Sequence, residues 1–359
     1  MKRWIKSRLL PRLALAVLLL ACVCLTAGAG AETGTPERPI GVAPSREEIV
    51  ARYQALELSL GDEAVAFSEA PSLSAPYRAG QVSPGELGES LALLNFIRYV
   101  AGVPDDVSIK EEYASLAQHA AALMAANGLL SHTQTRRWDM PQDYFALGAR
   151  GAMECNLGRG YGDIGASLLN YLQDTDHVNI FHMGHRRWLL DPAMQATGFG
   201  FADGYSATYA FDQAREGDLD FDHIAWPAAN TPVELCTPRR GNYAFTVVLG
   251  QAYAPAELER ITVSLSCGEK VWTLSAADCS LEAFQGQGRY LGVDTQGYGP
   301  ANCVIFSVGS FTGGERVDIA IRGLVKDGKE TELSYSVDFF SLAEAGKTET
   351  AADAAAAER

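Results

Sequence analysis

The pattern of apolar residues changes character once along this chain, and that change constrains the fold more than any other feature. From Ser83 to about Asp212 apolar residues recur at helical spacing, whereas from Tyr243 to Phe340 they fall in short β-rich runs separated by Gly, Asp and Asn. One stretch must bury helix faces and the other must build sheets, so the reading is α+β. With 359 residues the chain is long enough for two cores.

In the helical stretch, "SPGELGESLALLNFIRYVAG" opens with Ser and Pro in cap and first-turn positions. "SIKEEYASLAQHAAALMAANG" spaces Ser108 and Glu111 as a capping box and closes on Gly128. "DIGASLLNYLQDTD" is a third helix, and "GHRRWLLDP" a short fourth that Pro192 stops. "ATGFGFADGYSATYAFD" alternates around glycines as a hairpin does. Further on, "YAFTVVLG", "RITVSLSC", "KVWTLSA", "CVIFSVGSF", "RVDIAIRGL" and "ELSYSVDFF" read as strands. That many strands in roughly a hundred residues predict an all-β sandwich of immunoglobulin-like size.

The ends read differently. "MKRWIKSRLLPRLALAVLLLACVCLTAGAGAETG" has a basic start, an apolar run and small residues through Ala31, the pattern of a secretory signal. "LLAC" at 19–22 also fits a lipoprotein cleavage site, which would lipidate Cys22 and give the chain its one route to a membrane. The expected organisation is a signal peptide at 1–31, an extension at 32–82 with a helix in "SREEIVARYQALELSL", a helical domain at 83–235, a β-sandwich at 236–343 and a disordered tail at 344–359.

Charge limits the partners. The net charge is −15, and removing the signal with Lys2, Arg3, Lys6, Arg8 and Arg12 takes it to −20. So acidic a surface disfavours nucleic acid and anionic lipid. Beyond the signal the cysteines are Cys155, then Cys236, Cys267, Cys279 and Cys303. The last four allow three pairings in an exported chain, or remain as buried thiols. No C-x-x-C points to redox or zinc-knuckle chemistry.

Candidate chemistry gathers around "HMGHRRWLLDP" at 182–192. His132 lies in "LLSHTQ", Glu154 in "GAMECN", Asp174 and Asp176 in "NYLQDTD", and His185 starts the fourth helix. Two imidazoles and two carboxylates make a mixed nitrogen and oxygen set that suits zinc or another divalent cation. They equally suit a hydrogen-bond network in which each carboxylate orients an imidazole.

The order "LNFIR", "LLSH", a Glu in a Gly-Glu-Asn-like slot, Tyr171 to Asp174, then "GHRRWLLDP…TGFG" resembles the CAP superfamily of cysteine-rich secretory, antigen 5 and pathogenesis-related 1 proteins. The following "IAWPAANTPVE" and β-rich region are similar to secreted bacterial, clostridial-type members. The resemblance covers about residues 85–235. It implies an α-β-α sandwich whose cleft carries His, Glu, Glu and His, which map to His132, Glu154, Asp174 and His185. Two departures stand out: Asp174 replaces a Glu, and Cys155 occupies the usual Asn position, with Asn156 one place later.

Other polar residues carry blander expectations. Asp176 is a solvated or capping residue, and His177 and His182 are loop polarity. Of Arg186 and Arg187, one is a surface charge and one a structural contact to a carbonyl or to Asp191. Trp188, Leu189 and Leu190 are core, His119 is a satisfied helix residue, and His223 and Trp226 pack at the domain junction. "GYGDIG" at 160–165 lacks the strand and βαβ unit that a dinucleotide fingerprint needs. Cys155 is a poor nucleophile, because Glu154 beside it opposes a thiolate.

Two functions remain. The favoured one is a secreted or cell-surface binding module whose polar cleft takes an extracellular lipid, glycan or peptide, with the sandwich for adhesion or spacing. The alternative is a metal-assisted hydrolase of peptide or cell-wall substrate, with a divalent ion on His132 and His185 and Glu154 as general base.

Overall fold

The structure, a computed structural model, describes residues 38–56, 64–236, 243–309 and 316–345. The signal segment with Cys22, most of the acidic tail and part of the extension lie outside the described residues. All described residues fall within one compact unit. Among them no helix is long and apolar enough to cross a membrane.

The extension contributes helix α1 (Arg46–Leu56), opened by reciprocal bonds between Ser45 and Glu48, and a small ribbon of β1 (Phe67–Glu69) and β2 (Gln81–Val82). Helix α2 (Pro84–Val100) starts at Ser83, whose hydroxyl accepts the Glu86 amide, with Pro84 in the first turn. Strand β3 (Ser108–Ile109) leads into α3 (Glu111–Asn127). The expected Ser108 capping box is not formed. Ser108 is committed to pairing with Ala196, so the helix starts after Lys110 without a side-chain cap. Gly128 ends α3 in the left-handed conformation, as its position predicted.

Helix α4 (Gln142–Glu154) escaped the periodicity reading because Gly148 and Gly151 interrupt its apolar face. Those glycines are what let it lie on α3. A Cβ at Gly151 would stand 2.1 Å from the Leu116 carbonyl oxygen, and one at Gly148 would stand 2.9 Å from that of His119. Next come β4 (Cys155–Arg159), α5 (Ile164–Gln173), α6 (Gly184–Leu189), β5 (Ala196–Thr197), β6 (Phe199–Ala202) and β7 (Tyr205–Tyr209). Asp203 and Gly204, both at positive φ, turn the β6–β7 hairpin.

Strands β4, β7 and β6 form an antiparallel sheet with helices on both faces. On one face Gly200 lies against the α3 backbone at Ala117; on the other Gly158 lies against the Tyr171 hydroxyl of α5. The α+β reading therefore holds.

The remaining strands build two larger sheets. They are β8 (His223–Trp226), β9 (Asn230–Pro232), β10 (Tyr243–Leu249), β11 (Thr262–Cys267), β12 (Lys270–Leu274), β13 (Arg289–Asp294), β14 (Cys303–Gly309), β15 (Arg316–Lys326) and β16 (Lys329–Phe340), with helix α7 (Leu281–Gln287) before β13. One sheet has the order β13-β14-β10-β8 and the other β12-β11-β15-β16-β9. Both supply residues to the apolar core that also holds Leu94, Ile97 and Leu189 of the helical stretch. Strand β10 is buried at every residue, which explains why "YAFTVVL" shows no alternation.

The expected boundary near Cys236 is crossed by this pairing. Strands β8 and β9, assigned from sequence to the helical domain, hydrogen-bond to β10 and β16 instead. Strand edges need partners, and the nearest open ones lie across the boundary. Cys236, Cys279 and Cys303 are free thiols, so the disulfide expectation gives way to the thiol reading at these positions.

Candidate functional site

His185 sits in a six-residue helix, far too short to be stable alone. Side chains from distant parts of the chain hold both of its ends. At the N-terminus Asp174 Oδ2 accepts the amides of His185 (2.9 Å) and Arg186 (3.4 Å). At the C-terminus Arg98 of α2, fully buried, donates to the carbonyls of Leu189 (2.6 Å) and Asp191 (3.0 Å). A carboxylate at the N-terminus and a guanidinium at the C-terminus both complement the helix dipole. Burial is the main influence on Arg98, lowering its pKa to about 10, which still leaves it charged at neutral pH.

The same Asp174 orients the imidazole. Its Oδ1 lies 2.8 Å from His185 Nδ1. The residue achieves this from the left-handed conformation (φ 48°) at the end of α5, which turns a short side chain back over α6. Asn156 Nδ2 donates to the His185 carbonyl at 3.0 Å, and the Tyr171 ring lies against the imidazole at 5.3 Å. Burial opposes charge on His185, but the charge and hydrogen bond of Asp174, helped by Asp176, outweigh it and raise its pKa.

His132 is held more simply. It lies exposed on the loop after α3, and one bond ties it down, from Nδ1 to the Ala152 carbonyl at 2.7 Å. A carbonyl only accepts, so Nδ1 carries the proton and the neutral ring presents Nε2 as an acceptor. Desolvation lowers the His132 pKa, the Ala152 bond opposes that, and the charge of His185 lowers it further. The two shifts run in opposite directions, His132 down and His185 up.

Glu154 is engaged elsewhere. Its Oε1 accepts from Arg150 Nε at 3.0 Å, one turn back on α4, and Arg150 also reaches Glu112. Its Oε2 is buried and has no hydrogen-bond partner of normal geometry. The Tyr209 phenol is nevertheless close enough that its pKa is raised, by burial first and then by Glu154. Strand alternation clarifies the neighbouring motif. Cys155 and Leu157 point into the core beneath α3 and α4, while Asn156 faces α6 and bonds the His185 carbonyl. In a Gly-Glu-Asn run the Glu directly precedes the Asn, and here that residue is Cys155. Burial and then Glu154 push its thiol pKa well up, so it remains a thiol.

These donors do not fit a catalytic zinc. Both histidines use Nδ1 for hydrogen bonds, which leaves Nε2 open as in a metal-binding imidazole, but both Asp174 oxygens are taken by α6 and Glu154 pairs through Oε1 with Arg150. Among the described residues no group of three or more His, Cys, Asp or Glu is placed to hold a metal ion.

The other polar residues resolve as follows. Asp176 caps the turn at 179–181 through the amides of Val178 and Asn179. Arg186 and Arg187 are both buried and both structural, which corrects the expectation of one surface charge. Arg186 donates to the carbonyls of Leu172, Gln173 and Ala244. Arg187 bonds Asp294 at 2.5 Å and the carbonyls of His182, Gln296 and Pro300. Asp191 is reached through its carbonyl by Arg98 instead. His182 is more than loop polarity, since it bonds Asp294 at 3.0 Å. Trp188 is only half-buried, against Phe211, whereas Leu189 and Leu190 are core. His119 is satisfied by the Ser115 carbonyl, and Trp226 is buried.

Sequence reasoning missed Arg98 as a support of the site. Its signal was present as the Arg of "LNFIR", inside an apolar helix. It also missed the exposed apolar side chains Leu129, Leu130, Trp138, Val178 and Phe181, near the two histidines in sequence, and Met153 beside Glu154. Trp138, at 92% exposed, is the extreme.

Residues 91–214 match the family model described as the cysteine-rich secretory protein family, CAP. Comparisons with curated proteins and with solved structures return no match. The matched span contains His132, Glu154, Asp174, His185 and the supports of α6, and on that ground residues 91–214 of this chain form a CAP domain.

Proposed function

We propose that this is an exported binding protein whose CAP domain takes an amphiphilic extracellular ligand between His132 and His185. The observation that carries the reading is the unlike anchoring of the two imidazoles, His132 through Nδ1 on the Ala152 carbonyl and His185 through Nδ1 on the Asp174 carboxylate. His132 Nε2 accepts, and His185 in its protonated form donates from Nε2, so the pair suits a group that both donates and accepts, such as a hydroxyl. The exposed apolar side chains suit the rest of such a molecule, because isolated polar ligands gain little from Leu, Met and Trp. A lipid with a hydroxylated head fits both features better than a bare glycan or peptide. The strong negative charge argues for an uncharged or cationic head.

Trp138 provides the test. Titrating the protein with a long-chain alcohol below its micellar concentration, we expect a blue shift in tryptophan emission that Trp138→Phe abolishes. Binding should weaken about tenfold or more in His132→Ala and in His185→Ala, roughly the loss of one charge-assisted hydrogen bond. No shift with alcohols, acids or glycolipids alike would sink the reading.

A further inference from the structure

We propose that the C-terminal sheets are a working part of the CAP-domain site: the chain at 294–300, through Asp294, Tyr298 and Gly299, positions α6 and with it the His185 imidazole.

The contact is dense and specific. Arg187, two residues after His185, is 2% exposed and sends every guanidinium nitrogen to a partner. Nη1 meets Asp294 Oδ2 at 2.5 Å, Nη2 meets the carbonyls of Gln296 (2.9 Å) and Pro300 (2.7 Å), and Nε meets Pro300 at 3.2 Å. Asp294 is 4% exposed, and its Oδ2 also takes His182 Nδ1, three residues before His185. One carboxylate from β13 therefore grips the chain on both sides of the site histidine.

Two glycines let the backbones come together. A Cβ at Gly184 would stand 3.2 Å from the Tyr298 ring, which also stacks on His182 at 4.4 Å and 27°. A Cβ at Gly299, where φ is +73°, would stand 2.7 Å from the Arg187 carbonyl carbon. The loop thus lies on α6 at the residues flanking His185. A six-residue helix has no stiffness of its own beyond its contacts, so a displacement at Arg187 or Gly184 must move His185. Asp294, Tyr298 and Gly299 act through α6 and are positioning residues. The imidazole itself meets Asp174 and the Tyr171 ring, and the charges of Asp176 and His132 act on it from further off.

This rests on reading His185 as a site residue, and a test without ligand separates its failure from that of the ligand reading. The probe is the NMR signal of the His185 ring Nδ1 proton shared with Asp174, assigned by its loss in His185→Asn, together with the His185 amide. Asp294→Asn and Tyr298→Ala should each shift or broaden both signals, while α3 and α4 amides keep their parent positions. Tyr298 is 44% exposed, so its variant is expected to fold, and it decides alone should Asp294→Asn not fold. Unchanged His185 signals in folded Tyr298→Ala, with Asp294→Asn unchanged or unfolded, would overturn the proposal.

Discussion

The two histidines stand on supports of opposite kinds. The loop at 128–141 carries His132 on a single side-chain bond to a helix carbonyl, with Trp138 in solvent. Helix α6 carries His185 between an aspartate cap, an arginine at its far end and two buried arginines that reach the C-terminal sheets. The His132 loop is itself braced, with Gln134 Nε2 donating to the carbonyls of Leu129 and Ser131, Asn127 to that of Thr135 and Arg137 to that of Ala126. The difference lies in the anchoring of the two rings, one by a single bond and the other through its whole helix, and directional hydrogen bonds gain most from such preorganisation.

The comparison breaks most visibly at Arg187. Arg187→Ala strands the buried Asp294 carboxylate, and we expect a loss of about 3–5 kcal/mol in urea denaturation. His132→Ala should cost less than about 0.5 kcal/mol, as exposed positions do. Equal losses would show that the two supports do not differ.

A smaller effect is expected at Asp174. Asp174→Ala removes the α6 cap and the imidazole anchor, for about 2 kcal/mol. Asp174→Asn retains an accepting oxygen, so it should cost less and yet let the His185 pKa fall, as followed by NMR titration.

Stability against pH then separates the histidines by sign. The His185 pKa is raised, so its contribution is full below the unfolded value of about 6.5 and fades as pH rises through the folded value. The His132 pKa is lowered, so its contribution is present when neutral and is lost as pH falls from about 6.5 through the folded value. Thermal melts across this range should flatten on the alkaline side in His185→Asn and on the acid side in His132→Asn. The same slope change in both variants would contradict the opposite supports.

The smallest effect on stability belongs to the exposed apolar side chains. Trp138→Ala should change stability by less than about 0.5 kcal/mol while weakening binding of the long-chain alcohol. A stability loss comparable to that of Asp174→Ala would mean that the tryptophan supports the loop.

Much of this was legible in the residues. Ser83 and Gly128 marked helix ends, Asp203–Gly204 marked the hairpin, and the motif order singled out Asp174 and His185, which lie in hydrogen-bond contact. Ser108 misled because a local cap competes with a strand pairing at Ala196, 88 residues further along the chain, and the pairing won. Helix α4 hid because glycine weakens a helical pattern, although here it permits close packing. Glu154 had the right chemistry and the right neighbourhood, but its carboxylate turned to Arg150, a choice that spacing alone does not reveal.

By itself the sequence determined the class of each half, the helix termini with local caps and the family of the middle segment, because these depend on periodicity and on contacts a few residues apart. Only the tertiary structure decided what "HRRW" means. One of its two arginines reads as a surface charge until the strands carrying Ala244 and Asp294 arrive to receive both. A buried guanidinium is tolerable only where its donors are met, and the groups that meet these lie from 5 to 113 residues away along the chain.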